Sequence, residues 1–452
     1  MRIVLALIFN AALLAALLPW LRRQWRWAGA GGWRLVFLGG LSLRLAVGLV
    51  RNWHPKEDAK FMSYVGHLVT AQLWQHPANT WTILTKAVTV FAKGETTFEF
   101  VYQNSSNTWI LMKILALLNF GSLETDWVNS LYLSLFAFVG CWQLVRKLIN
   151  VFPATPAEAG MVAFLFWPSV WFWATGISKE AVLLGSGAWL TAQVLGGLYG
   201  APAGRPTSGW RPVGFWLGTV ALALLHLGMR YFFAVPLLGV LAGVALGEGL
   251  RRFGPGRYRG VQAAGLALVL AAGVWCAPQV SVAFSLNKFT NQVMRVYAFD
   301  VANSVGRPHF EYPDLRPTLG SIAAHAPRAV ANALTRPWLG ESRQPLYLAA
   351  GLENAALLVL LVLAVTALLR GCGGRLPFGL ALGLLAFCLI LAFLIGLTTP
   401  NLGSLNRYRC ALLPYWLLLL LQNDYVAALL RRLRLRQGLN ASTLARLPDR
   451  PG

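Results

Sequence analysis

Residues 377–397, PFGLALGLLAFCLILAFLIGL, carry no acidic or basic side chain. A run of that length crosses the hydrocarbon core of a bilayer as a helix. It lacks the polar–apolar alternation of an outer-membrane strand. The stretch therefore predicts an all-α fold, a polytopic bundle of transmembrane helices. Similar runs near 3–20, 35–50, 127–145, 157–175, 180–198, 213–229, 231–248, 260–280, 346–369 and 410–428 bring the expected number to about 11 spans. Composition agrees. The 452 residues are 57% hydrophobic and 12% charged, with a mean hydropathy of +0.56, whereas a soluble domain carries about twice that charge. We expect one transmembrane domain over 1–452 and an integral protein of a bacterial inner membrane.

The net charge is +23, from 39 Lys and Arg against 16 Asp and Glu. The basic residues gather between apolar runs, the topology signal of cytoplasmic connections rather than of nucleic-acid binding, so no nucleic-acid partner is expected. Arg22, Arg23, Arg26 and Arg34 have no acid among them and follow the first run. That run reads as a retained span and not a cleaved signal peptide. This places the N-terminus outside and, with 11 spans, the C-terminus in the cytoplasm, with a basic tail over 429–452. The alternative counts Trp109–Phe120 as a span, giving 12, and puts the Arg22–Arg34 connection outside. Two outer loops are expected, 51–126 and 281–345. In the first, Trp81–Ala92 and Trp109–Phe120 read as interfacial or re-entrant helices. The second is proline-rich and reads as an irregular cap with short helices. The five cysteines are scattered, and the histidines show no metal-ligand spacing.

Acidic residues gather in the outer loops. Glu57-Asp58 sits where the second run ends, and a carboxylate there suits deprotonation of an acceptor hydroxyl or ligation of a divalent cation, Mg or Mn, on Asp58. The same pair reads as an interfacial charge cluster neutralised by Lys56 and Lys60. In Trp167-Pro168-Ser169 through Ser178-Lys179-Glu180, Ser178 suits a helix N-cap, with Glu180 in the first turn. Lys179 suits a phosphate, with Glu180 orienting it. Arg230, Arg336, Arg407 and Arg409 lie on the expected outer side, where charge bias does not explain them, and arginine suits bidentate phosphate recognition. Snorkelling to headgroups is the plainer reading of each. Glu341 follows Arg336 closely, and Glu353 lies inside a span, where an arginine partner is expected.

The layout resembles the GT-C class of integral membrane glycosyltransferases, which includes protein mannosyltransferases and lipid-linked arabinose transferases. Glu57-Asp58 matches their acidic pair in the first outer loop, Asp58–Tyr64 resembles the helix start that follows, and 81–120 matches their juxtamembrane helices. An extra helix precedes the usual first one. Trp167–Val170, Thr175–Glu180 and Leu405–Arg409 also look like segments of bacterial envelope-polysaccharide membrane proteins. The resemblance implies an inverting transferase that uses a polyprenyl-phosphate sugar donor and a glycan, lipid or protein acceptor at the outer face, with Asp58 as base. Two other functions stay open. An O-antigen or exopolysaccharide polymerase or ligase would grip a lipid pyrophosphate with the arginines. A transporter or flippase of lipid-linked sugars would be expected to show inverted repeats, and the sequence shows no internal repeat.

Overall fold

The computed structural model describes residues 1–29, 32–85, 88–93, 96–101, 106–200, 211–250, 258–280 and 285–432. Helices dominate. In order they are α1 (Arg2–Trp27), α2 (Gly32–Trp53), α3 (Glu57–Gln75), α4 (Thr80–Thr85), α5 (Asn107–Ser122), α6 (Asp126–Val151) and α7 (Ala157–Met161). After a π-helical turn at Val162–Phe166 come α8 (Pro168–Trp173), α9 (Lys179–Tyr199), α10 (Arg211–Met229), α11 (Tyr231–Leu250), α12 (Tyr258–Val280) and α13 (Leu286–Ala302). The remainder are α14 (Leu319–Thr335), α15 (Pro345–Leu369), α16 (Phe378–Thr398), α17 (Leu402–Arg409), α18 (Leu413–Leu421) and α19 (Asp424–Arg432).

Among the described residues, eight helices are long and apolar enough to cross a membrane: α1, α2, α6, α9, α11, α12, α15 and α16. The number becomes nine if α18 and α19, bent by 93°, form one span. The chain is thus a polytopic helical membrane protein, and the expected 11 spans resolve into fewer unbroken helices. The run near 213–229 is a shorter apolar helix, and the run near 410–428 is the bent pair. The run at 157–175 is broken. Its helix loosens into the π turn and stops before Pro168, which has no N–H to donate; α8 then ends at Trp173, and Gly176 takes φ +71° ahead of α9.

A broken helix leaves carbonyls without intrahelical partners, and these are costly unless satisfied. Two arginines of α2, two turns apart, satisfy them. Arg44 is fully buried and donates to the carbonyls of Ala174 at 2.7 Å and Phe164 at 2.9 Å. Arg51 Nη1 donates to Phe172, Trp173 and Thr175 at 2.9, 3.0 and 2.6 Å. The start of α8 is held from the other side, where Glu353 accepts from the backbone N–H of Ser169 at 2.7 Å. Glu353 was expected to meet an arginine. Among the described residues it forms no ion pair; the charge of Arg409 reaches it only from beyond ion-pair distance.

The core joins α2, α6 and α9 on one side to α11, α14, α16 and α18 on the other. Close packing rests on small residues, as expected where no hydrophobic effect drives helices together in lipid. A Cβ on Gly140 of α6 would lie 2.0 Å from the Gly185 carbonyl of α9, and one on Gly396 would lie 2.0 Å from the Ala329 carbonyl of α14.

The segment read as a first outer loop holds more structure than expected. Its helix α3 has 19 residues and packs along α5, burying Val65, Val69, Leu111 and Leu115. The α3/α5 pair starts beside Lys179, which bonds Asn107 and Thr108, and ends beside α1, where Arg2 lies over Trp74. Between them, Ser63 and His67 of α3 both bond Asp126 at the start of α6. The expected 109–120 helix is α5, with 16 residues. The expected 81–92 helix is corrected. Helix α4 ends at Thr85 and a strand, β1 (Val88–Lys93), pairs antiparallel with β2 (Thr96–Val101), an exception to the all-α expectation. The β-branched and aromatic content of Val88-Thr89-Val90-Phe91 favours that extended form. In the second loop, α13 and α14 have 17 residues each and are joined by irregular chain. Most of the basic tail, from residue 433, lies outside the described residues.

Candidate functional site

Five helix termini meet at one end of the bundle. Helix α3 begins after Lys56, whose extended backbone starts the helix, and Glu57 and Asp58 occupy a first turn where carboxylates are favoured. Helix α9 begins at Ser178, whose side chain accepts from Ala181 N–H at 3.1 Å, the cap expected for it. Glu180 follows in the first turn. Arg230 joins α10 to α11, where its carbonyl receives the first helical N–H groups of Phe233 and Ala234. Asn401 caps α17 by accepting from Ser404 N–H at 3.0 Å, which carries Arg407 into the last turn, where a cation is favoured.

These side chains form one network. Arg407 Nη1 meets Asp58 Oδ2 at 3.0 Å, its Nε lies 3.5 Å from Glu180 Oε1, and its Nη2 donates to the Tyr408 hydroxyl at 3.1 Å. Arg230 donates to the same Glu180 oxygen at 2.9 Å and stacks 3.9 Å over the Tyr408 ring. Glu180, only 4% exposed, is the hub that holds both arginines. Lys179 Nζ reaches Thr108 at 2.7 Å and Asn107 at 3.2 Å, and Lys56 Nζ lies 4.1 Å over the Trp173 ring. Arg51, Lys56, Lys179, Asp58, Glu180 and Arg407 together line a small polar hollow of about 20 Å³.

Five cations, Arg51, Lys56, Lys179, Arg230 and Arg407, thus gather around two carboxylates, Asp58 and Glu180, which pair only with Arg230 and Arg407 among the described residues. Among the described residues neither lysine has a carboxylate within ion-pair distance. Burial and the neighbouring Arg407 and Arg51 push the Lys56 ammonium down to about 8. Burial raises Asp58, but the hydrogen bond and charge of Arg407, with Lys179 and Lys56, hold it below its ordinary value. Burial lowers Arg407, and Glu180, Tyr408 and Asp58 outweigh that and raise it. Uncompensated positive charge at a membrane edge is expensive, and an anion with several acceptor oxygens relieves it.

An apolar cavity of about 230 Å³ adjoins the cluster at Arg230 and Tyr408. Phe233 of α11, Phe289 and Val293 of α13, and Leu391 and Ile395 of α16 form its walls. A charged head and an apolar wall thus stand side by side.

The structure brings together Asp58, Lys179, Glu180, Arg230 and Arg407. It separates the rest. Glu57 is 88% exposed and pairs with Lys60 at 2.8 Å, the interfacial arrangement also read from the sequence. Arg336 pairs with Glu341 at 2.9 Å. Arg409 is fully buried and donates to the Arg336 carbonyl and to Asn406. A divalent cation on Asp58 does not fit the donors present. Arg407, Lys56 and Lys179 surround that carboxylate, and Glu180 is taken by two arginines. Among the described residues no group of three or more His, Cys, Asp or Glu side chains suits a metal. Arg51, Tyr408 and the Asn107-Thr108 pair were not singled out from the sequence. The one available signal was the two-turn spacing of Arg44 and Arg51 in an apolar run. No family model matches the chain, and no curated protein or solved structure matches it.

Proposed function

We propose that this end of the bundle binds the phosphate of a polyprenyl-phosphate-linked sugar, and that the protein is a GT-C-like glycosyltransferase moving the sugar to a glycan, lipid or protein acceptor at the outer face of the membrane. The observation that carries this is the excess of Arg51, Lys56, Lys179, Arg230 and Arg407 over Asp58 and Glu180 beside an apolar cavity. An outward site is supported by the arginines at the opposite end, Arg22 to Arg34 and Arg146-Lys147.

In this scheme phosphate oxygens compete with Asp58 and Glu180 for Arg407. A donor bound there releases the Asp58 carboxylate, which takes the acceptor hydroxyl proton. The acceptor oxygen bonds to the anomeric carbon as the bond from that carbon to the phosphate oxygen breaks. The phosphate leaves with the electron pair, stabilised by Arg407, Arg230 and Lys179. In a sugar-transfer assay, Asp58→Asn should lose activity and Arg407→Ala should lose both donor binding and activity. Full activity in a folded Asp58→Asn protein would remove the base from this scheme.

A second reading is favoured by the depressed Asp58 carboxyl, since a carboxylate held low by Arg407 is a weak base. It is the polymerase or ligase, in which the arginines grip a lipid pyrophosphate. It predicts that Arg407→Ala abolishes chain extension while Asp58→Asn does not.

A further inference from the structure

The opposite end of the bundle carries a second cationic feature of different construction. A groove of about 640 Å³ runs between α1 and α2, lined by Arg22, Trp25 and Arg26 on one helix and by Phe37, Leu38 and Leu41 on the other. Arg34 stacks over Trp25 at 4.7 Å and adds a third guanidinium at the rim. Among the described residues none of these three arginines has a carboxylate within ion-pair distance, and the first carboxylate in the sequence is Glu57.

The polar and apolar parts are ordered by depth. Arg22 and Arg26 are one turn apart on α1, near its C-terminal end. Arg34 lies in the first turn of α2, and Leu38 and Leu41 follow it by one and two turns on the same helix. Two turns are about 10 Å, so guanidinium groups sit at the mouth and apolar side chains lie further toward the bundle middle. Contacts on the other side of α1 fix its position. Gln24 accepts from Trp142 at 3.1 Å and Arg146 at 3.0 Å, which anchors that helix end to α6. Elsewhere α1 is the least embedded of the candidate spans, with 6% of its apolar window buried.

We infer that this α1/α2 groove binds an anionic glycerophospholipid, its phosphodiester among Arg22, Arg26 and Arg34 and an acyl chain along Phe37, Leu38 and Leu41. Charge complementarity selects the occupant. A zwitterionic headgroup brings its own ammonium among three unpaired guanidinium groups, whereas phosphatidylglycerol brings only negative charge. Free phosphate satisfies the arginines but leaves the apolar floor bare. The inference is independent of the transferase proposal, because it uses none of that site's residues.

The test is native mass spectrometry of the purified full chain exchanged from detergent into equal mixtures of phosphatidylglycerol and phosphatidylcholine with identical acyl chains. The wild type should retain phosphatidylglycerol with a preference on the order of tenfold. The R22Q/R26Q/R34Q variant should lose that preference while still carrying lipid. Equal retention of the two lipids by the wild type, or an undiminished preference in the variant, would overturn the inference. Should the triple variant not fold, the exposed single change Arg26→Gln serves, with a smaller loss of preference expected and no loss contradicting it.

Discussion

The two ends of the bundle use the same residue type in opposite ways. At the site end, Arg407 and Arg230 are tied through Glu180, and Arg51 is spent on three carbonyls of the broken helix. At the far end, Arg22, Arg26 and Arg34 stand on the walls of a groove with no carboxylate partner among the described residues. The first arrangement is buried and geometrically fixed, which suits recognition of one ligand. The second is exposed and graded with depth, which suits a lipid. Arginine content alone separates neither.

The sharpest way to break this contrast is to remove the hub. Glu180→Ala leaves Arg230 and Arg407 buried without their shared partner, and such a change costs about 3–5 kcal/mol. Denaturant unfolding in micelles should register that loss. A change within experimental error would mean that the two arginines re-pair elsewhere, and that the end is less fixed than described.

Next in size is Arg44→Met. It leaves the carbonyls of Phe164 and Ala174 without donors in the bundle interior, at a cost of about 1–3 kcal/mol each. Unfolding should show it without a matching loss at the far end's groove. A neutral result would mean that the broken helix satisfies itself.

The pH dependence of phosphate binding offers a smaller effect. Lys56 is held near 8 by burial, Arg407 and Arg51. A bound phosphate favours its charged form, so affinity is full below that value and falls as pH rises through it. Titration of a polyprenyl-phosphate ligand between pH 7 and 9 should show a several-fold loss that Lys56→Met reduces. The smallest effect is expected of Glu57→Gln. That side chain is exposed and pairs with Lys60, so stability should move by no more than about 0.5 kcal/mol and ligand binding should not move at all.

Much of this layout is legible in the sequence, and the failures have physical causes. The run at 377–397 is uncharged and uninterrupted, and it forms α16 almost as read. The run at 157–175 is equally apolar, yet hydropathy does not register that Pro168 cannot donate or that Gly176 takes a positive φ. Its partner signal was Arg44 and Arg51, two charges on one face of a span, which mark carbonyls in need of donors. Helix α3 lies within the expected first outer loop, although Met62, Val65, Val69 and Leu73 recur at helical spacing. Ser178 as a cap was readable because capping is local. The meeting of Asp58, Glu180, Arg230 and Arg407 was not, because it depends on which helix ends adjoin. For the same reason Glu57 and Asp58, adjacent in sequence, part company. The helix turn aims one at Lys60 and the other at Arg407.

The central claim is that the site end recognises a lipid-linked phosphate through its shared cations. Equilibrium binding of a radiolabelled polyprenyl phosphate to the wild type and to Arg407→Ala in nanodiscs tests it directly. Loss of a charge-assisted contact of this kind should weaken binding by about 100-fold, with the R22Q/R26Q/R34Q variant unaffected. Equal binding by the wild type and Arg407→Ala would contradict the account.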